Sequence, residues 1–161
     1  MLLVSLFGCI TEIHSSYTKS DRIYILRDLR RLEQSEEEKE IKTLAINVYH
    51  EARGSNREDM IAVAEVTMNR VRSNRFPNTV EGVVYQNKQF SWTISGRGKR
   101  ISEKEAYTKC LEIAKKVYYQ KKNSVVSNDV YHYVYKDIID DILWTRGFKY
   151  RLLVGSHIYL S

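Results

Sequence analysis

Proline occurs once in this 161-residue chain and cysteine twice. A lone Pro77 rules out a long polyproline-type spacer. Cys9 and Cys110 are too few for a disulfide framework. Cys110 sits among apolar positions at helical spacing and reads as a buried free thiol. The four histidines, His14, His50, His132 and His157, do not follow a metal-ligand spacing. A zinc helix of the His-Glu-x-x-His type starting at His50 would need a second histidine where Gly54 stands. No G-x-S-x-G elbow is present, so a Ser-His-Asp triad is unsupported. Neither zinc-finger spacing nor an RNP-type aromatic motif occurs, and nucleic acid is not expected as a partner. Nothing calls for a metal or other cofactor. The apolar stretch Met1 to Ile10 is too short to cross a bilayer, which takes roughly 20 residues, and it has no Lys or Arg ahead of it as a secretory signal would. Leu6-Phe7-Gly8-Cys9 looks like a lipoprotein cleavage box with a bulky Phe where a small residue is usual. Two readings stay open: membrane anchoring through a lipidated Cys9, or an export remnant or short apolar end packed on the domain.

What is present is enough for one domain with a sizeable core. Hydrophobic residues make up 43% and charged residues 29%, a globular balance. The net charge of +6 is uneven. Residues 1–40 hold six Lys/Arg against eight Asp/Glu, a balance of −2, which leaves +8 for residues 41–161. A basic globular part suits a polyanionic partner such as an acidic membrane surface or an anionic cell envelope. We therefore divide the chain into an N-terminal apolar end and charged helical approach, 1–40, and a basic globular domain, 41–161, expected to be a monomer.

Periodicity predicts three long helices. Asp21 to Leu32 carries a weak apolar stripe. Ser35 followed by Glu36-Glu37-Glu38 reads as an N-cap with acidic residues in the first turn. From there Ile41, Leu44, Ala45, Val48 and Tyr49 form one apolar face, with Gly54 placed to end the helix. A second helix runs from Asn56–Glu58 to about Val71, and a third follows a Ser102/Glu105 capping box. Thr79 to Gln86 reads as a helical turn, and Asn87 to Arg100, with Ser95-Gly96-Arg97-Gly98, as a loop. Val125-Val126, Val130 to Tyr135 and Arg151 to Tyr159 are strand-like, with a turn or loop around Asp140 to Gly147. The fold class is α+β, mainly helical, with a small C-terminal β-rich part.

Two carboxylates stand out. Glu51 falls in the last turn of an apolar helix, where the dipole disfavours the charged form, as a general acid requires. Arg53 would oppose this if it pointed the same way. Glu65 lies inside Ile61-Ala62-Val63-Ala64-Glu65-Val66, a segment otherwise buried, and a charge there needs partners. Asn69 is on the same face and Arg70 and Arg72 are near. Glu65 is either a buried strut behind the site or an assisting acid.

Tyr49-His50-Glu51-Ala52-Arg53-Gly54, Ile61 to Val66, Asn69-Arg70-Val71, Arg75-Phe76-Pro77-Asn78-Thr79, Gly82-Val83-Val84-Tyr85 and Gln89-Phe90-Ser91-Trp92 resemble, in order and spacing, the SleB/CwlJ cell wall hydrolase family. Gly155-Ser156-His157-Ile158-Tyr159 is similar to its closing G-x-H-x-[FY]. The resemblance covers Ile41 to Tyr159. It implies a lysozyme-like domain acting on peptidoglycan glycan strands in the cell envelope, in the manner of lytic transglycosylases, with Glu51 as the catalytic acid. Cleavage of the bond between N-acetylmuramic acid and N-acetylglucosamine would then give 1,6-anhydro ends with one essential carboxyl group.

There are departures from the family pattern. Ser55 stands where Glu is frequent, and Asp141-Ile142-Leu143-Trp144 replaces a Ser-Pro-x-Trp segment. With no peptidoglycan-binding repeat ahead of the domain, a phage or prophage lysis enzyme or a small autolysin is expected more than a spore-cortex role.

For the groove, Gln89, Ser91 and Trp92 offer amide, hydroxyl and indole groups, with Tyr133 and Trp144 as further substrate contacts. Phe90 is assigned to the core because alternate residues of an extended segment face opposite ways. His157 is expected to be hydrogen-bonded in place. A hydrolytic muramidase on the same substrate, a non-catalytic envelope-binding protein and a basic nucleic-acid module are the competing readings.

Overall fold

The computed structural model describes residues 18–94 and 100–161. Cys9 with its apolar flank and the Ser95 to Gly98 loop lie outside the described residues.

The first helix, α1, is continuous from Lys19 to Ala52. Thr18 starts it: its hydroxyl accepts from the Asp21 N–H, and its own N–H and hydroxyl donate to the Asp21 carboxylate. Ser35 is therefore an interior residue, not a cap. Neither glycine nor proline interrupts Lys19 to Ala52, and a serine caps only where the chain before it leaves the helix. The chain divides into two compact units, one through Glu38 and one from Lys39 to Ser161. In the first, the weak stripe stays in water: Ile23 and Leu26 are exposed. In the second, Ile41, Leu44, Ala45, Val48 and Tyr49 are buried as their spacing predicted.

Helix α2, Arg57–Arg72, is capped by Asn56, whose side chain accepts from the Asp59 N–H. Every residue from Asp59 to Arg70 is buried. A helix covered on all sides is a central element, and α2 packs against α3 (Val80–Val84), α5 (Lys104–Tyr119) and strand β2 (Tyr150–Val154). Between α3 and α5 lies a single helical turn, α4, Ser91–Ile94. The Ser102/Glu105 capping box does not form. Glu103 is the cap residue without a side-chain cap bond, and the Tyr49 hydroxyl accepts from the N–H groups of Ser102 and Glu103 instead.

The C-terminal part is a three-stranded antiparallel sheet in the order β1-β3-β2, from β1 (His132–Tyr135), β2 and β3 (His157–Leu160). Tyr133 pairs with Tyr159 and Tyr135 with His157. The stretch Arg151 to Tyr159 is not one strand but a hairpin turning at Gly155, whose φ is +55°. A side chain there would also lie 2.7 Å from Ser55 Oγ and 2.8 Å from Asp59 Oδ2. Val125-Val126 does not form a strand, because its backbone donors go to Glu65. Two 3-10 segments, Lys136–Asp141 and Leu143–Gly147, fill the connection between β1 and β2. The architecture is α+β and mainly helical with a small C-terminal sheet.

Candidate active site

Glu51 is the penultimate residue of α1 and is half-buried. Its Oε2 accepts a 3.2 Å hydrogen bond from the Tyr133 hydroxyl of β1. Burial is the largest influence on its carboxyl and raises its pKa. The Tyr133 hydrogen bond and the fields of His157 and Arg70 pull the other way without cancelling it. Arg53 does not oppose this. It turns away to pair with Glu103 at 2.9 Å, its guanidinium 4.8 Å from the Tyr49 ring centre.

Glu51 and Tyr133 line a cavity of about 370 Å³. Gln89 and Trp144, both expected in the groove, line it too. Trp144 is 49% exposed and stands edge-on to Phe148, which in turn abuts His132. His132 also lines the cavity; burial, with Arg70 and Arg75 nearby, pushes its pKa down to about 4, so it is neutral near pH 7.

Ser91 and Trp92 fall outside this lining. Trp92 is a core residue: its indole N–H donates to Asn47 Oδ1 and its ring stacks on His50 at 4.7 Å. Phe90 is 4% exposed, yet it lines the cavity. Alternation puts Phe90 and Trp92 on one face and Gln89 and Ser91 on the other, and the structure follows it there: Phe90 and Trp92 are buried while Ser91 is in water, so Trp92 belongs with the core.

Helix α2 holds β1 against Glu51 from two directions. At its C-terminal half, Glu65 is fully buried, with Oε1 accepting from Gln120 Nε2, Ser124 N and Ser124 Oγ, and Oε2 from Val125 N and Val126 N. Asn69 Nδ2 donates to the carbonyls of Ser127 and Val130, and Asn69 Oδ1 accepts from Asn123. Arg70 Nε donates to the Tyr131 carbonyl at 2.7 Å. These side chains fix the backbone from Ser124 to Tyr131, directly before His132 and Tyr133. Neither Arg70 nor Arg72 pairs with Glu65; Arg72 bonds the Gln120 carbonyl.

At the N-terminal end the anchor is Asp59, which the sequence reading did not single out. It is fully buried and collects the closing motif: the Ser156 N–H, His157 Nδ1 at 2.9 Å and the Tyr159 hydroxyl at 2.6 Å all reach its carboxylate, as does Ser55 Oγ. Burial alone would raise its pKa, but the hydrogen bonds from His157, Ser55 and Tyr159 outweigh it and hold the carboxyl below its usual value. An ionised carboxylate only accepts, so His157 Nδ1 carries a proton. The His157 ring packs against Tyr133 and Tyr135 with centroids 5.2 and 4.4 Å away. The signal that could have found Asp59 is its place in the first turn behind a capping Asn56.

The family model described as "Cell Wall Hydrolase" matches residues 54–160; Glu51 lies just ahead of that match. A spore cortex-lytic enzyme of Bacillus cereus is 31% identical over 122 residues, covering 74% of this chain and 43% of that protein. One from Bacillus subtilis is 41% identical over 58 residues, 36% of this chain and 19% of that protein. The chain thus spans less than half the length of these curated relatives. Among solved structures, the catalytic domain of the Bacillus cereus SleB protein superposes with a TM-score of 0.60 at 26% identity, covering 76% of this chain and 89% of that one. The catalytic domain of the germination-specific lytic transglycosylase SleB from Bacillus anthracis gives 0.59 at 27% identity, covering 76% and 93%. With a family match over well more than half its length and the corresponding fold, the chain belongs to the cell wall hydrolase family.

Proposed function

We propose that this protein cleaves the β-1,4 bond between N-acetylmuramic acid and N-acetylglucosamine in peptidoglycan as a lytic transglycosylase, with Glu51 as the acid and then the base. The observation that carries this reading is that Glu51, half-buried and biased toward its protonated form, is the sole carboxylate among the described residues lining its cavity. Glu65, the other acid considered, has both oxygens occupied by Gln120 and the Ser124 to Val126 backbone, so it serves as a strut. A hydrolase of the two-carboxylate type needs a second acid facing the scissile bond.

The protonated Glu51 gives its proton to the glycosidic oxygen as the C1–O bond breaks, and positive charge develops at the muramic C1. The carboxylate left behind is held by the Tyr133 hydroxyl. It then takes the proton of the muramic C6 hydroxyl while that oxygen bonds to C1. A 1,6-anhydro end forms, and Glu51 returns to its acid form without water being consumed. Gln89 at the cavity wall offers an amide to sugar hydroxyl and N-acetyl groups, and the half-exposed Trp144 offers an apolar face. The likeness to the catalytic domain of a germination-specific lytic transglycosylase supports the same outcome.

The test is a digest of purified peptidoglycan with wild type and Glu51→Gln, products read by mass spectrometry. Anhydro-muropeptides from the wild type alone are expected. Reducing muramic ends would make the enzyme a hydrolase, and intact walls with both proteins would leave a binding role.

A further inference from the structure

Arg70 is a buried cation. It is 3% exposed, lines the Glu51 cavity, and does not join any ion pair found among the described residues. Its Nε is used by the Tyr131 carbonyl, but Nη1 is buried with no hydrogen-bond partner. The rings of Phe76 and Phe90 lie 5.5 and 5.9 Å from its guanidinium carbon, which offsets part of the cost of burial. A buried cation whose donors are not all used is costly unless something else completes it. A second cation, Lys88, lines the same cavity from an exposed position. Lys88 is the one non-glycine residue among those described with positive φ, +59°, a conformation that side-chain-bearing residues seldom adopt. When Glu51 holds its proton and His132 is neutral, the lining carries two positive charges and no negative one.

We infer that Arg70 and Lys88 form an anion subsite beside Glu51 that takes a carboxylate carried by the muramoyl residue being cut. This rests on the peptidoglycan reading above and narrows its substrate class. A carboxylate offers two acceptor oxygens to a guanidinium and ion-pairs with an ammonium, whereas neutral glycan offers only hydroxyl and amide dipoles. Two sources share that chemistry: the lactyl carboxylate of a muramic acid without a peptide, and the free carboxylates of an attached stem peptide.

The test measures binding, so it does not depend on cleavage. The Glu51→Gln protein, with a neutral side chain in place of the acid, is titrated with three soluble wall fragments of equal glycan length. One keeps its stem peptides, one has its stem carboxyls amidated with methylamine, and one has its stems removed to leave lactyl carboxylates. The stem-bearing fragment or the stripped fragment, whichever carries the recognised carboxylate, is expected to bind about tenfold more tightly than the amidated one, the scale of one charge-assisted contact. The preference between those two fragments names the source.

Adding Lys88→Gln to this protein should narrow the gap severalfold, and Arg70→Lys, which keeps the charge but loses the fork, should narrow it in part. Adding Lys115→Gln, which removes an equal charge from the exposed side of α5, should leave the gap unchanged. Equal affinity for all three fragments, or a Lys115→Gln effect as large as that of Lys88→Gln, overturns the subsite. Failure of the wild type to cut any wall, with the binding preference intact, would instead count against the catalytic reading and leave the subsite standing.

Discussion

Tyr133 joins the acid to the sheet, and its hydroxyl favours the carboxylate form of Glu51. Activity in the proposed reaction needs the acid protonated, so the basic limb of the pH–rate profile follows the Glu51 pKa. Removing the hydroxyl takes away an influence that lowers that pKa. Tyr133→Phe should therefore move the basic limb to higher pH, and it should cost about tenfold in kcat/KM at the optimum through loss of a hydrogen bond to a charged group. A limb that moves to lower pH would show that the hydroxyl acts otherwise. At this scale the sequence was legible where a motif led to a residue on the cavity wall, as it did to Glu51. It was not legible at Arg70, because whether a guanidinium meets Glu65, a carbonyl or a cavity depends on which segment folds across it.

Helix α2 makes the sheet part of the site, and its two anchors are open to separate tests. Glu65→Gln replaces one acceptor oxygen by an NH₂ group facing backbone donors of Ser124 to Val126. Stability should fall by about 1–3 kcal/mol in denaturant titration, with faster amide exchange at these residues, while kcat of the folded enzyme stays within a few-fold. A collapse of kcat in a stably folded variant would return Glu65 to the list of catalytic groups.

Asp59 gives a pH signature. Its folded pKa is depressed, so its contribution is present above the unfolded value and is lost as pH falls through the folded one. Asp59→Asn should cost about 3 kcal/mol or more near pH 7 and flatten the acid side of the stability curve, measured as Tm against pH. The strand-like Val125-Val126 shows why composition misled here. β-branched residues suit a strand, but a buried carboxylate had already taken the backbone donors a strand would use.

At the scale of the whole molecule, the positive balance of residues 41–161 favours an anionic wall. Wall binding should weaken as salt is raised from low values to about 0.15 M, where screening shortens to about 8 Å. A salt-independent sedimentation assay with whole walls would assign the affinity to short-range sugar contacts instead. The described residues contain no helix long and apolar enough to cross a membrane.

The spans of α2 and α5, the apolar face from Ile41 to Tyr49, the burial of Cys110 and the α+β class followed from the sequence, because each depends on spacing along the chain or on local propensity. The continuity of α1 past Ser35 was equally local, and was missed because a cap was read without a breaker before it. Only the tertiary structure decided that Asp59 gathers Ser156, His157 and Tyr159, that Tyr133 touches Glu51, and that Phe90 meets the cavity wall formed with Glu51 and Tyr133. Those outcomes join residues far apart in the chain. No periodicity encodes such contacts; they are set by which buried donors and acceptors must find each other once the core has closed.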